Sequence, residues 1–311
     1  LNLTTFLHFQ NITLIVFLVI LLVYASKYFS PKEKSNSVKE TAIEFKNYSQ
    51  PLFWASTMTI GAYLLDRWFL QIIDGSAAQG YFSLGINLGT ISILFSGSLA
   101  PLLMREYAIA YEKKDKTRMV HLFSKFLPFF YVITATFACF LTVHGDWLVL
   151  LIGGDDFSKA MLPVTLLGLA SLHQTYGQLS GALMAATDRT YVLGIINTII
   201  AILGIPFTYF LLAPQQYWGL NLGALGLAIK LFVSQIIMVN IQLWFNTRYL
   251  QIGMFFFIAH QVLVVILFVI FAFTIKLLVS ATLSVGVVAL LSSGVLYLIL
   301  VLTTVFLFPS L

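Results

Sequence analysis

Nine apolar runs follow one another along the chain, at 11–29, 50–73, 77–104, 121–143, 158–184, 190–213, 219–245, 253–276 and 281–308. Each is long enough for an α-helix to cross a hydrocarbon core, which takes roughly 20 residues. The pattern therefore predicts an all-α fold, a polytopic membrane bundle of about nine transmembrane helices. Two breaks, Asp74-Gly75-Ser76 and Pro214-Gln215-Gln216, are short enough to be tight turns, whereas polar stretches at 30–49 and 105–120 follow the first and third runs. Pro51 and Pro163 fall in expected first turns, where a missing N–H costs little. Pro101, Pro128 and Pro206 lie deeper and are expected to kink or locally open their helices.

Composition strengthens this picture. Of 311 residues 59% are hydrophobic and 9% charged, with a mean hydropathy of +0.94, where soluble domains hold about 45–50% and about 25%. The placement of charge matters more than its sum of +5. Lys27, Lys32, Lys34, Lys39 and Lys46 surround the first polar stretch, and Arg105, Lys113, Lys114, Lys116, Arg118 and Lys125 the second. The positive-inside rule turns both toward the cytoplasm, with Arg189 and Arg248, while Asp146, Asp155 and Asp156, opposed by Lys159, face outward. Basic residues so placed report orientation, and a nucleic-acid partner is excluded. Nine crossings then put the C-terminus in the cytoplasm and the start of the first run outside. That start is expected of the C-terminal part of a longer protein, cut after an odd number of helices.

Candidate chemistry lies in the polar residues within the runs. Gly85, Gly89, Ser92, Ser96 and Ala100 share one face of the third run, as do Gly219, Gly223, Gly226, Lys230 and Ser234 in the seventh. Small faces let helices approach closely in lipid, which accounts for the first stripe. The second carries a lysine eleven residues into its run, about 16 Å along a helix. A lysine at the centre of a span costs about 2.5–3.5 kcal/mol to insert, so Lys230 is expected to face a wet cavity near the midplane. Asp66 and Arg67 lie about 8–10 Å from the outer boundary. They are readable either as a local pair that offsets two charges or as substrate or ion ligands. His173, Gln174, Gln178 and Asn197 are readable as interhelical hydrogen-bonding groups or as cavity lining, and His260 and Lys276 as interfacial.

Sequence signals of catalysis are absent. No GxGxxG, Walker, HExxH, CxxC or GxSxG pattern stands in a usable context, and Gly153-Gly154-Asp155-Asp156 is a turn. A disulfide framework is excluded, since Cys139 is the only cysteine. No enzyme activity, cofactor, metal or catalytic residue is expected.

The strings Phe45-Lys46-Asn47-Tyr48-Ser49-Gln50-Pro51-Leu52, Asp66-Arg67-Trp68-Phe69-Leu70 and Ala78-Gln79-Gly80-Tyr81-Phe82-Ser83 are followed in order by Ala100-Pro101 through Arg105-Glu106-Tyr107, by Gly153-Gly154-Asp155-Asp156-Phe157, by Ala185-Ala186-Thr187-Asp188-Arg189-Thr190, and by Trp218-Gly219-Leu220-Asn221-Leu222-Gly223-Ala224. Taken in this order over about 45–246, they resemble the second lobe of polysaccharide and O-antigen flippases. Those form the Wzx-like branch of the superfamily that also holds the MATE multidrug exporters. The resemblance implies that 1–30 is the last helix of a first lobe, 31–49 a cytoplasmic linker, 50–246 a second six-helix lobe, and 247–311 two additional C-terminal helices. It implies an alternating-access carrier in a bacterial plasma membrane that moves a polyprenyl-diphosphate-linked oligosaccharide from the inner to the outer leaflet, beside a glycan polymerase and glycosyltransferases. Lys230 would meet the diphosphate, and Gln174, Tyr176, Gln178 and Asn197 the sugar. Two alternatives stand beside it: a cation-coupled MATE-type drug exporter, for which Asp66 is the one acidic cavity candidate, and a membrane-embedded glycan polymerase or transferase, against which the short outward loops argue.

The topology makes a direct prediction. A cysteine placed at Lys114 should react with impermeant thiol reagents only from the cytoplasmic side, and one at Asp155 only from outside; labelling of both from one side would overturn the charge map.

Overall fold

The computed structural model describes residues 3–28 and 38–307, so Lys32, Lys34 and the first part of the expected linker, 31–37, lie outside it. Among the described residues there are nine α-helices and no strand: α1 (Leu3–Tyr28), α2 (Val38–Ser92), α3 (Leu94–Glu112), α4 (Lys116–Gly153), α5 (Met161–Ala186), α6 (Thr190–Leu212), α7 (Gly223–Leu250), α8 (Met254–Ser280) and α9 (Val287–Leu307). The fold is all-α, as the hydrophobic pattern requires. The chain divides into two compact units, Leu1–Asn47 and Tyr48–Leu311. The first holds α1, with an apolar stretch His8–Tyr24, and the opening turns of α2. The helical bundle is the second.

Five helices, α4 and α6 to α9, are long and apolar enough to cross a membrane, and α2 with α3 forms a bent pair that passes the same test. The run at 158–184 is helical but fails it, for a physical reason. Its helix α5 is the centre of the bundle, packed on α3, α4, α6 and α7, so its polar and small residues need not be compatible with lipid. Outward positions elsewhere carry Leu, Ile and Phe, including Leu263, Ile266, Ile270 and Phe273 of α8, while Asp66, Thr175, Lys230, Gln242 and Asn246 are buried. This inside-out distribution, with the spans, makes the chain an integral membrane protein.

The bends do not fall at the prolines. Helices α3, α4 and α6 run unbroken through Pro101, Pro128 and Pro206, and Pro51, expected in a first turn, sits inside α2. Pro163 does lie in the first turn of α5. One break is at Gly75, whose φ of 82° is available cheaply only to glycine. There the chain folds back. Arg67 Nη2 donates to Ser83 Oγ at 2.8 Å and the Arg67 carbonyl accepts from Gln79 Nε2, contacts that straight helix would separate by about 18–24 Å. The second bend, 51°, is between Ser92 and Leu94. The Ile93 carbonyl accepts there from the Gly97 amide at 2.9 Å, which satisfies the backbone at the bend.

The main core lies among α3, α4, α5, α7, α8 and α9, and a second core joins α2 to α5, α6 and α7. Helix α8 is tied to α4 by Lys276, which pairs with Asp146 at 2.6 Å and stays partly exposed, in keeping with an interfacial position. His260, six residues into the same helix, is 7% exposed and sits beside Tyr176, 3.4 Å from its hydroxyl, so it faces α5.

Glycines of the third run are used in two ways. A Cβ at Gly89 would run into Ser171 Oγ and lie 3.0 Å from the Leu167 carbonyl, so this glycine is a packing contact with α5. At Gly97 the nearest atom would be Gln178 Nε2, 3.9 Å away. Gly89→Ala should therefore cost about 1–3 kcal/mol of stability by overpacking, whereas Gly97→Ala should be neutral or slightly stabilising. Thermal unfolding of the solubilised protein measures both, and equal effects would refute the distinction.

Candidate functional site

Four helices each turn one face toward a shared space. On α2 the face is Thr59, Ala62, Tyr63 and Asp66; on α5, Gln174, Gly177, Gln178 and Gly181; on α6, Leu193, Asn197, Ile200 and Ala201; on α7, Lys230, Ser234, Gln235, Met238 and Gln242. Steps of three and four put each set on a single side of its helix. Together they enclose a cavity of about 440 Å³. Five of the seven residues expected to bind substrate, Lys230, Asp66, Gln174, Gln178 and Asn197, line it. Arg67 and His173 do not.

The charged wall of the cavity is an ion pair. Lys230 Nζ lies 2.5 Å from Asp66 Oδ2, and Thr208 Oγ1 of α6 donates to Asp66 Oδ1 at 2.6 Å. Asp66 is 3% and Lys230 6% exposed. Taking either charge out of water alone would be costly, and a partner in hydrogen-bonding contact offsets it. Gly204 makes the contact possible: a Cβ there would lie 2.9 Å from Lys230 Cε and 3.2 Å from Nζ. The lysine stem thus crosses α6 over a residue with no side chain.

This geometry corrects the local reading of Asp66 with Arg67. Neighbouring residues on a helix point about 100° apart, so Arg67 cannot share the cavity face with Asp66. Its guanidinium instead reaches Ser83 and lies over the Phe82 ring, 5.2 Å from the centroid, where it secures the fold-back at Gly75. His173 turns away to the rings of Tyr131 and Phe232, each at 6.0 Å, and Tyr176, expected to meet a sugar, is fully buried in the core. The depth of Lys230 is corrected too. Helix α7 starts at Gly223, because Trp218 and Asn221 have positive φ and the chain from Leu220 to Leu222 hydrogen-bonds back to the end of α6. Lys230 is then seven residues from the helix start, about 10 Å, and the pair sits toward the α6–α7 end of the bundle instead of at its middle.

Gln178 is held by Ser96, whose hydroxyl donates to its Oε1 at 2.9 Å, and Asn197 Oδ1 accepts from Gln242 Nε2 at 3.3 Å. Gln235, Gln242 and Thr208 are not among the residues expected from the sequence. A signal exists: Lys230, Ser234, Met238, Gln242 and Asn246 recur every four residues, which carries the polar stripe of α7 well past the point where the small residues end. Beside the cavity runs an apolar slot of about 430 Å³ between α3, α5 and α6, which includes Ala100, Pro101 and Met104 and shares Gln178, Gly181 and Leu193 with it.

No family model matches the sequence, and no curated protein or solved structure is significantly similar to it. The class that fold and cavity define is an all-α integral membrane protein with a polar, ion-paired cavity inside its helical bundle.

The pair itself is testable without knowledge of any substrate. Asp66→Asn and Lys230→Met should each cost about 3–5 kcal/mol by leaving one buried charge uncompensated, while the double variant should recover most of the loss. Folded yield and thermal unfolding across the cycle read this out; additive losses would show that the two charges do not depend on each other.

Proposed function

We propose that this chain is the cavity-bearing lobe of an alternating-access carrier that moves a polyprenyl-diphosphate-linked oligosaccharide from the inner to the outer leaflet of a bacterial plasma membrane, its C-terminus in the cytoplasm. The observation that carries the reading is the charged wall of the cavity, where Lys230 stands with Asp66 among amide side chains. Such a substrate has three parts of different chemistry. The diphosphate needs a cation in a region that excludes most water, and Lys230 supplies it by exchanging the Asp66 carboxylate for phosphate oxygens. The sugars need groups that both donate and accept, and Gln174, Gln178, Asn197, Gln235 and Gln242 are of that kind. The isoprenoid needs an apolar path, and the slot beside Pro101 adjoins the cavity. In this reading substrate reaches the carrier from membrane glycosyltransferases and leaves it to a polymerase. A cation-coupled drug exporter is less well supported, because Asp66 is the acidic residue of the cavity lining and Lys230 already neutralises it.

The double variant Asp66→Asn/Lys230→Met separates stability from transport. It should fold yet lose translocation of a fluorescent prenyl-diphosphate-linked sugar in reconstituted vesicles by at least about tenfold, the equivalent of one charge-assisted hydrogen bond. Lys230→Arg should retain part of the activity, since charge persists although the guanidinium is broader. Undiminished translocation by the folded double variant would sink the reading.

A further inference from the structure

The cavity has two chemically different ends. Gln242 lies twelve residues beyond Lys230 on α7, about 18 Å along the axis, and Gln235 five residues beyond it, about 8 Å. Gln242 is only 2% exposed, yet its Oε1 has no hydrogen-bond partner; Gln235 Nε2 is likewise buried without one. Gln242 Nε2 donates to Asn197 Oδ1, and its oxygen is the atom without a partner. Both free atoms flank the same spot. A Cβ added to Gly177 would lie 3.4 Å from Gln235 Nε2 and 3.8 Å from Gln242 Oε1. With Val239 Cγ2 at 3.2 Å from the same point, α7 packs on α5 at Gly177 and carries both unpaired atoms toward that glycine, between residues that line the cavity.

Buried polar atoms are almost always paired, because leaving one unpaired forfeits its hydration without return. Two such atoms of opposite role, on the same wall, are complementary to one ligand group that accepts from Gln235 and donates to Gln242. A diphosphate esterified at both ends has no proton to donate at neutral pH and fails the second requirement, and an alkyl chain fails both. We infer that Gln235 and Gln242, on either side of Gly177, form a subsite for a neutral group with one acceptor and one donor, namely a hydroxyl or acetamido group of a sugar. This rests on the carrier reading above only for the identity of the whole substrate, and it adds a register: with phosphate at Lys230, a separation of about 8 Å along α7 brings the first sugar, the one bonded to the diphosphate, to Gln235.

The test uses the full chain in lipid nanodiscs and two kinds of probe. Hexyl β-N-acetylglucosaminide and hexyl β-glucoside, both uncharged, report the subsite by saturation-transfer NMR and titration; geranyl diphosphate reports the charged wall. Wild-type protein should bind the glycosides, and Gln235→Leu and Gln242→Leu should each weaken that binding about 5–10-fold, the value of one hydrogen bond in an apolar setting, with geranyl diphosphate affinity unchanged. Gln235→Leu guards against misfolding, since Gln242 also holds Asn197 whereas no partner of Gln235 Nε2 is lost. A response confined to the acetamido glycoside would assign that group; an equal response of both would assign a hydroxyl. Failure of wild-type protein to bind either glycoside, glycoside affinity unmoved by both substitutions, or loss of both probe types together in Gln235→Leu would overturn the subsite. Failure of geranyl diphosphate to depend on Lys230 would instead count against the flippase reading, and the glycoside result would still decide the subsite.

Discussion

A lysine and an aspartate buried inside a membrane bundle must find each other, and much of the bundle is arranged around that requirement. Lys230 and Asp66 are 164 positions apart, so their contact sets the register between α2 and α7. Thr208 and Gly204 bring α6 into the same register, one by donating to the carboxylate and the other by leaving space for the lysine stem. Each charge alone would destabilise the site; as a pair with a hydroxyl beside it they are tolerated. The low dielectric that makes the pair necessary also makes any exchange of its partners consequential.

Glycine has opposite uses on the two sides of this architecture. Gly89 and Gly194 are closed off by neighbours, the former by α5 and the latter by the Pro51 carbonyl, which a Cβ would approach to 2.9 Å, and both bring helices into close contact. A methyl group added at Gly97 or Gly181 would meet nothing nearer than 3.8 Å, and these two glycines border open space. A row of small residues therefore does not by itself distinguish an interface from a cavity; what lies opposite does. In the proposed carrier the open glycines and the amides of α5, α6 and α7 serve the substrate, and the closed ones give the lobe the rigidity that alternating access needs.

Individual residues show how much of the site is legible in the sequence. Lys230 stands out because a cation in an apolar run demands an explanation, and Gln174, Gln178 and Asn197 because amides in a membrane helix demand partners. Arg67 is drawn into the site by adjacency to Asp66, although consecutive helical residues diverge by about 100°; the same geometry argues for a partner on another helix. Gln242 escapes notice because it stands three residues from the end of its run, whereas Gln235, near the middle of the same run, carries the same signal as Gln174 and Gln178. Proline suggests the bends, whereas Gly75 and the stretch around Ile93 carry them, because proline is tolerated wherever neighbouring structure keeps its helix continuous.

The sequence by itself determined the solvent and the secondary structure: apolar runs of spanning length leave helices as the way to satisfy the backbone in lipid, and that is a property each segment carries locally. It also determined that Lys230 needed compensation, since a transfer cost attaches to a residue wherever its helix sits. Which group compensates it, which face of α5 meets the cavity and which buries Tyr176, and where an unused donor and acceptor come together beside Gly177 were decided only by the tertiary structure. These depend on the relative rotation of helices far apart in the chain, set by close packing of side chains from several helices at once, and no single segment contains that information.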